Sequence, residues 1–245
     1  MENSIYIALS RQAAMRREMD VAANNIANVD TPGFRGERVI FQEYISAPNF
    51  RERHSFVDDV GTARDTTLGA FETTGNQFDL ALSNKDNFFV VETPMGERYT
   101  RHGKFHLDVN GDLVTGSGYP VMGEGRNIEI PPEVSSITIT GDGAVLDDAA
   151  GGIEIDRLRV VSIADPTILK RAADSMYILD PDQTAEVAEE PGVIQGVLED
   201  SNVKAIRELT RIMEISRMYE AITNFGKKED ERIGQMISEL GKTPS

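Results

Sequence analysis

A long stripe of mostly apolar residues near the start of the chain constrains the fold more than any other feature. Its members follow one another at alternating spacings of three and four residues, which places them on one face of an α-helix. The stripe consists of Ile5, Ala8, Gln12, Met15, Met19, Ala22, Ile26 and Val29. The spacing therefore predicts a long N-terminal helix that packs against other helices.

The sequence also predicts where this helix ends. Thr31-Pro32-Gly33-Phe34 follows the stripe, and it predicts a turn because proline cannot continue the helical hydrogen bonds and glycine tolerates positive φ. Asn24, Asn25 and Asn28 are unfavourable in a helix interior. We expect them to set the register of helix packing or to satisfy the helix terminus.

A second helical stripe lies near the other end of the chain. It consists of Ala205, Leu209, Ile212, Met213, Ser216, Tyr219 and Ile222. An isolated helix of this kind is only marginally stable in water, so both terminal helices need partners. One interpretation is that they pair with each other and with copies in neighbouring chains, and the other is that each packs on its own β domain.

The middle of the chain predicts β structure. Short alternating segments separated by Gly and Pro indicate a mainly antiparallel domain over residues 68–200, and Asn110-Gly111 predicts a hairpin with a type I′ turn. Residues 36–67 are rich in charge and predict an extended linker or loop. The expected fold class is α+β: a coiled-coil-like domain from residues 1–35 and 201–245, with a central β domain.

Charge is distributed unevenly over these three regions. The net charge of −16 divides into 0 for residues 1–29, −17 for the middle, which holds 31 acids and 14 bases, and +1 for residues 201–245. The acidic balance argues against nucleic acid as a partner. The chain contains no run of 18 apolar residues, so the sequence does not predict membrane insertion. Near-neutral ends can stack repeatedly without accumulating repulsion. Residues 172–200 carry eight acids and no Lys or Arg, which indicates a solvated acidic surface or a partner-facing patch.

No motif in the chain predicts catalysis or a cofactor. The chain has no cysteine, which excludes disulfides and thiolate metal sites. Asp108, Asn110 and Asp112 imitate an EF-hand, but Leu113 stands where the loop needs glycine and Tyr119 where it needs glutamate. His102 and His106 have no evident third ligand. We expect no catalytic residue, no metal site and no cofactor.

Several ordered motifs resemble bacterial flagellar rod and hook proteins. The resemblance begins with Ala23-Asn24-Asn25-Ile26-Ala27-Asn28-Val29 and Thr31-Pro32-Gly33-Phe34-Arg35. It continues through Thr74-Gly75-Asn76, Phe88-Phe89-Val90-Val91, Tyr99-Thr100-Arg101, Gly118-Tyr119-Pro120-Val121, Gln195-Gly196-Val197-Leu198-Glu199 and Ser201-Asn202-Val203. Asn87 departs from the family pattern, which has glycine before the paired phenylalanines; asparagine tolerates the left-handed conformation, so we expect the turn to survive.

The resemblance implies a non-catalytic axial subunit. In this family the terminal helices pack as an inner coiled-coil domain around the export channel, with the β domain outside. Expected partners are other copies of the chain, other rod proteins and the flagellar type III export apparatus. The expected location is the basal-body rod in the periplasmic space, reached without a cleavable signal peptide.

Within the family, the length and the opening Ile5-Tyr6 with Leu9-Ser10-Arg11-Gln12 favour a proximal over a distal rod subunit. A secreted β-rich binding module is the alternative from a different functional class.

Overall fold

The computed structural model describes residues 2–49, 52–134, 136–180 and 182–240. These residues divide into two compact units. The first, called the helical unit, takes its residues from 1–27, 37–63 and 204–245, and the second, called the β unit, from 28–36 and 64–203. The α+β class predicted from the sequence is therefore confirmed at the level of two terminal helices and a mainly antiparallel β region.

The helical unit contains two long helices, α1 (Glu2–Ala27) and α2 (Ala205–Leu240). The N-terminal stripe predicts α1 well, although the helix ends before Val29, which lies in the turn that follows. Helix α2 continues through Gly226 without a break. No helix in the described part of the chain is long and apolar enough to cross a membrane.

The expected linker over residues 36–67 is instead a pair of strands, which corrects the sequence prediction. Strand β1 (Glu37–Asn49) pairs with β2 (Glu52–Arg64) in a two-stranded sheet. Val39, Ile40 and Phe41 supply the β-branched and aromatic residues that favour strands, and Val39 is buried. The charged residues of 36–67 led to the prediction of a linker or loop, but charged side chains do not prevent the backbones of two strands from pairing.

The β unit is built from fifteen short strands among its described residues. They are β3 (Phe71–Thr73), β4 (Leu80–Leu82), β5 (Asn87–Thr93), β6 (Gly96–Thr100), β7 (Phe105–Leu107), β8 (Leu113–Thr115), β9 (Ile137–Ile139), β10 (Ala144–Asp147), β11 (Ile153–Arg157), β12 (Val160–Ser162), β13 (Lys170–Arg171), β14 (Met176–Ile178), β15 (Glu186–Val187), β16 (Val193–Gln195) and β17 (Val197–Glu199). The largest sheet has the order β13-β14-β6-β5-β12-β15, and its neighbours pair antiparallel.

Strand β5 separates two hydrophobic clusters. Phe89 and Val91 belong to the larger cluster, while Phe88 and Val90 belong to the smaller one, and all four are buried. Successive side chains of a strand point to opposite faces, so a run of apolar residues such as this one is typical of a strand covered on both sides. Phe89 meets Phe105 edge to face, with ring centroids 5.3 Å apart. The β unit therefore has a hydrophobic cluster on each face of β5.

Two predicted turns are present, but their backbone conformation differs from the expected one. The predicted hairpin is present as β7 and β8, but the pairing of Leu107 with Leu113 leaves a five-residue loop, and of the two turn residues only Gly111 has positive φ. The turn is therefore not type I′, which needs positive φ at both positions. The turn before Asn87 is present, as expected: it contains Lys85 and Asp86, and the N–H of Asn87 donates to the carbonyl oxygen of Asn84 at 3.4 Å. Asn87 itself does not have positive φ; it begins β5, and its side-chain amide donates to the carbonyl oxygens of Glu190 and Pro191.

Candidate assembly interface and chain junction

Helices α1 and α2 pack antiparallel within the helical unit. The side-chain amide of Gln12 donates to the hydroxyl of Thr223 at 2.9 Å, and nearer the other end Arg211 donates twice to one carboxylate oxygen of Glu18, at 2.6 and 2.9 Å. The Arg211 side chain is 42% exposed, and ion pairs so open to water are worth about 1 kcal/mol or less. These contacts fix the register of the pair, and most of its stability has to come from apolar burial.

The structure divides the predicted stripes between covered and uncovered faces. Met15 and Ala22 of the N-terminal stripe are buried, and so is Ile215, which widens the C-terminal stripe on α2. Most other members are partly buried, namely Ala8, Gln12, Met19, Ile26, Ala205, Ile212, Ser216, Tyr219 and Ile222, as is Val29 in the turn; the side chain of Ile5 lies outside the described residues.

Leu209 and Met213 form the uncovered part of the C-terminal stripe. They are 50% and 54% exposed, and the neighbouring Ile206 is 82% exposed. These three side chains share a face of α2 that lies more than 100° from Ile215, counting about 100° per residue. The single stripe predicted from the sequence is therefore two faces, one packed on α1 and one open.

The asparagines of the first motif have separate roles. Asn25 is buried, and its side chain pairs with the backbone of Glu37 as a strand would, donating to the carbonyl at 2.8 Å and accepting from the N–H at 3.0 Å. Asn28 accepts a backbone hydrogen bond from Thr31 in the turn, and Asn24 is exposed. Asn25 thus holds the start of β1, and the role of Asn28 in satisfying the helix terminus stays a prediction.

The Thr31–Phe34 turn belongs to the β unit and packs against other segments of that unit. Pro32 is partly buried, whereas Gly33 and Phe34 are buried, and the Arg171 guanidinium stacks over the Phe34 ring at 4.3 Å. The N–H of Gly33 donates to the carbonyl oxygen of Glu199 at 2.6 Å. Gly33 has φ of +67°, and a Cβ at this position would overlap the carbonyl group of Arg101. The turn therefore requires glycine for both its conformation and its close approach.

The second motif, Ser201-Asn202-Val203, meets the first through Asn202. Its backbone N–H donates to the carbonyl oxygen of Phe34 at 3.3 Å, and its side-chain oxygen accepts from the N–H of Gly36 at 2.8 Å. Its side-chain nitrogen donates to the carbonyl oxygens of Asp65 and Thr67. Ser201 and Val203 are partly buried beside it. One asparagine therefore ties three chain segments of the β unit together, and we call this arrangement the junction.

A buried ion cluster lies beside the junction. Arg101 and Glu199 are both about 2% exposed, and the Arg101 Nε donates to Glu199 at 2.7 Å. The remaining Arg101 nitrogens donate to the carbonyl oxygens of Leu82, Asn84 and Asn87. Arg101 is thus fully paired, which is what allows a charged residue to be buried at low cost.

A second cation in the cluster, Arg35, lacks hydrogen-bond partners for part of its guanidinium group. Arg35 donates to the carbonyl oxygen of Lys85 at 2.6 Å, but its Nε and Nη1 are buried without a hydrogen-bond partner. Burial and then the nearby Arg101 lower the pKa of Arg35 to about 10, so it remains charged at neutral pH. Arg35 and Arg101 approach the ring of Phe88 at 5.6 and 5.9 Å. Glu199 therefore stabilises both buried cations, bonded directly to Arg101 and acting at longer range on Arg35, whose charged form Asp86 also favours.

Sequence reasoning did not single out this cluster as a site. Arg35, Arg101 and Glu199 each occur inside a motif that carries the family resemblance, but they are separated by 66 and 98 positions in the chain. The one feature of the sequence that could have pointed to this cluster is that each of the three residues is the last of its motif. Only the fold shows that the three motifs meet.

The junction predicts that Gly33→Ala destabilises the β unit by about 2–4 kcal/mol, since left-handed alanine and overlap with packed backbone each cost about 1–2 kcal/mol or more. Urea unfolding followed by tyrosine fluorescence measures the change. Gly75→Ala is the matched control, because Gly75 has φ of +73° but open space where a Cβ would lie, so we expect a loss of only about 1–2 kcal/mol there. Equal losses in both variants would contradict the close approach at Gly33.

No other chemistry is assembled among the described side chains. Within that part of the chain, no group of three or more His, Asp or Glu residues is placed to hold a metal ion. His106 is exposed and His102 is partly buried outside any strand; the side chain of His54 lies outside the described residues. The acidic stretch 172–200 is mixed, since Glu199 is buried on Arg101 whereas Glu186, Glu189 and Glu190 are exposed.

Two packed terminal helices with an open apolar face, joined to a close-packed β unit, define a structural subunit. Comparisons with known proteins agree. Residues 5–35 match the family described as flagella basal body rod protein, residues 84–146 match flagellar hook protein FlgE/F/G D1 domain, and residues 194–239 match flagellar basal body rod FlgEFG protein C-terminal. The first match includes Phe34 and the third includes Asn202, two of the residues that meet at the junction.

Full-length relatives give the same result. The chain is 35% identical over 99% of both sequences to flagellar basal-body rod protein FlgF of Caulobacter vibrioides. It is 32% identical to FlgF of Rhizobium meliloti, over 98% of this chain and 99% of that one. It is 30% identical to FlgG of Bacillus subtilis, over 97% and 99%. The chain belongs to the flagellar basal-body rod protein family.

Proposed function

We propose that the chain is a structural subunit of the flagellar basal-body rod, of the FlgF type. The observation that carries this proposal is the full-length identity of 35% to a FlgF, together with motifs that meet at one junction in the fold. The role is mechanical rather than catalytic: the subunit forms part of the shaft that transmits torque from the motor to the hook. FlgG, the distal counterpart, is the alternative within the family.

The terminal helices provide the assembly surface in this proposal. Leu209 and Met213 present an apolar face that the chain itself leaves uncovered, and Ile206 extends it. Exposed apolar patches of this kind mark surfaces that other proteins cover. We propose that α1 and α2 pair as a coiled-coil-like inner domain of the rod and that neighbouring subunits cover the open face. The residues of both terminal stripes together remain the predicted assembly seam.

The β unit and the junction suit a subunit that transmits torque. Close-packed interiors have low compressibility and transmit strain, and this unit has a core on both faces of β5. The junction fastens the segments that lead to α1 and to α2 onto that core. The proposed partners are other copies of the chain and other rod proteins, with delivery by the flagellar type III export apparatus.

The proposal is tested in the bacterium that encodes the chain. Deleting the gene should abolish swimming, and an epitope-tagged copy should restore it and be recovered in purified basal bodies at the rod. Immunogold labelling nearer the motor than the hook supports the FlgF type, and labelling at the hook end supports FlgG. A tagged chain that restores swimming but is absent from purified basal bodies would contradict the proposal.

A further inference from the structure

The loop between β7 and β8 contains the one Asn-Gly pair of the chain, Asn110-Gly111. Asn110 is exposed and the preceding Val109 is fully exposed, so the tip of this loop is open to water. The proposed function makes no use of this pair. Its chemistry is distinctive, because glycine has no side chain to keep its backbone nitrogen away from the side-chain amide of the residue before it.

The fold does not allow another residue type to follow Asn110. Gly111 has φ of +94°, and a Cβ at this position would overlap the carbonyl oxygen of Ile130. The carbonyl oxygen of Gly111 accepts from the N–H of Ile130 at 2.8 Å, which holds the tip against the segment that follows β8. Glycine is therefore required at position 111, and the Asn-Gly pair exists wherever asparagine stands before it.

Asp108 holds both the backbone and the side chain of Asn110. One carboxylate oxygen accepts from the backbone N–H groups of Asn110 at 2.8 Å and of Asp112 at 2.9 Å. The other carboxylate oxygen accepts from the side-chain amide of Asn110 at 3.0 Å. The N–H of Gly111 donates to the backbone carbonyl oxygen of Asp108 at 3.2 Å. Asp108 thus restrains the side-chain amide of Asn110 as well as the backbone nitrogen that would attack it.

We propose that Asn110 is a site of spontaneous deamidation and that Asp108 slows the reaction. The backbone nitrogen of Gly111 attacks the side-chain carbonyl carbon of Asn110, and a C–N bond forms that closes a five-membered imide. The bond from that carbon to the amide nitrogen breaks. The proton of the Gly111 N–H passes through solvent to this leaving nitrogen, which departs as ammonia.

Water completes the reaction. It adds to one of the two carbonyl carbons of the imide and opens the ring, which gives either aspartate or isoaspartate at position 110. In isoaspartate the backbone runs through the side-chain carbon. Water is the only other reactant, and nothing is oxidised or reduced. The attack requires the amide and the Gly111 nitrogen to leave their hydrogen bonds with Asp108, so it proceeds when the loop opens locally.

Deamidation changes the charge at the tip of the loop. The product has a carboxylate where the amide nitrogen now donates to Asp108, so an attractive contact becomes a repulsive one. The pKa of Asp112 is already raised, first by burial and then by the charges of Asp108 and Glu129. A further carboxylate joins this group, and isoaspartate also lengthens the backbone beside the bond between Gly111 and Ile130. We therefore expect the tip to loosen once it has reacted.

Ageing of the purified full-length chain at neutral pH tests the proposal. Mass spectrometry of proteolytic peptides measures conversion of each asparagine, and enzymatic methylation detects isoaspartate. We expect Asn110 to react severalfold faster than Asn84, the control within the same samples, which is also exposed but is followed by Lys85. Equal rates at the two positions would overturn the assignment. The measurement needs neither export nor assembly, so its outcome is independent of the proposed function.

Asp108→Ala tests the restraint. At Asn110 the folded variant should react about fivefold faster than the unsubstituted chain, the rate change that corresponds to one net hydrogen bond of about 1 kcal/mol. The matched control is Asp142→Ala, which removes a carboxylate from another exposed turn that is followed by glycine and should leave the rate at Asn110 unchanged. Circular dichroism verifies that both variants are folded. An unchanged rate in Asp108→Ala, or an equal increase in Asp142→Ala, would overturn the role of Asp108.

Unfolding in urea gives a readout that does not depend on how well a variant folds. The hydrogen bonds to Asp108 are lost in urea, so the unsubstituted chain should react severalfold faster at Asn110 than it does when folded. It should then also react at the same rate as Asp108→Ala. If the unsubstituted chain deamidates equally fast when folded and in urea, or if the two chains still differ in urea, the folded loop is not what restrains Asn110.

Discussion

Leu209→Asp should abolish swimming and incorporation of the chain into the rod while leaving the isolated chain folded. Leu209 is 50% exposed, so a charge there costs the monomer little, and substitutions of this kind usually change stability by about 0.5 kcal/mol or less. In the rod the same charge would be buried in an interface without a partner, which costs several kcal/mol. Soft-agar motility, recovery in basal bodies and circular dichroism measure the three outcomes.

Leu209→Met is the matched control, because it keeps an apolar side chain of similar volume and should preserve swimming. Met19→Asp should also abolish assembly, but Met19 is partly buried, so loss of the helix pair itself is expected there. Leu209 is the cleaner site for this reason. Normal swimming and rod incorporation of Leu209→Asp would show that this face is not an assembly surface.

Glu199→Gln should destabilise the β unit by about 3–5 kcal/mol, the usual cost of leaving a buried charge without its partner. Glu199 is the only carboxylate bonded to Arg101 among the described residues, and Arg35 beside it already has two unpaired nitrogens. A typical domain has a total stability of about 5–15 kcal/mol, so the variant should lose a large part of it. Urea unfolding at neutral pH measures the loss.

Glu97→Gln is the control for burial. Glu97 pairs with Arg159 at 2.7 Å, but both side chains are substantially exposed, at 42% and 29%. The same substitution on the same type of ion pair should therefore cost about 1 kcal/mol or less. If the two variants lose similar amounts of stability, burial of the Arg101–Glu199 pair does not have the importance assigned to it.

Much of the fold could be predicted from the sequence. The stripe from Ile5 to Ile26 predicted α1 nearly to its last turn, because helical periodicity is a local property of side chains three and four positions apart. The hairpin at Asn110-Gly111 was found for the same reason. Its turn type and the strands in 36–67 were not, because both depend on which residues pair across strands.

The candidate site was predicted only in part. Gly33 and Asn202 were recognised within motifs, but their meeting through Phe34, Gly36 and Glu199 joins residues far apart in the sequence. The turn before Asn87 was expected, but the sequence did not indicate that the Asn87 side chain hydrogen-bonds to residues more than 100 positions away. Long-range partners of this kind leave no periodic signal in the chain.

The sequence by itself determined that both ends are amphipathic helices, that the middle is β structure and that the excess negative charge lies between the ends. These properties follow from the order of residues within short windows. The tertiary structure decided which face of α2 packs on α1 and which stays open, since Ile215 and Leu209 look equally apolar in the sequence. It also brought Arg35, Arg101 and Glu199 together, because only folding determines which charged residues distant in the sequence are buried side by side.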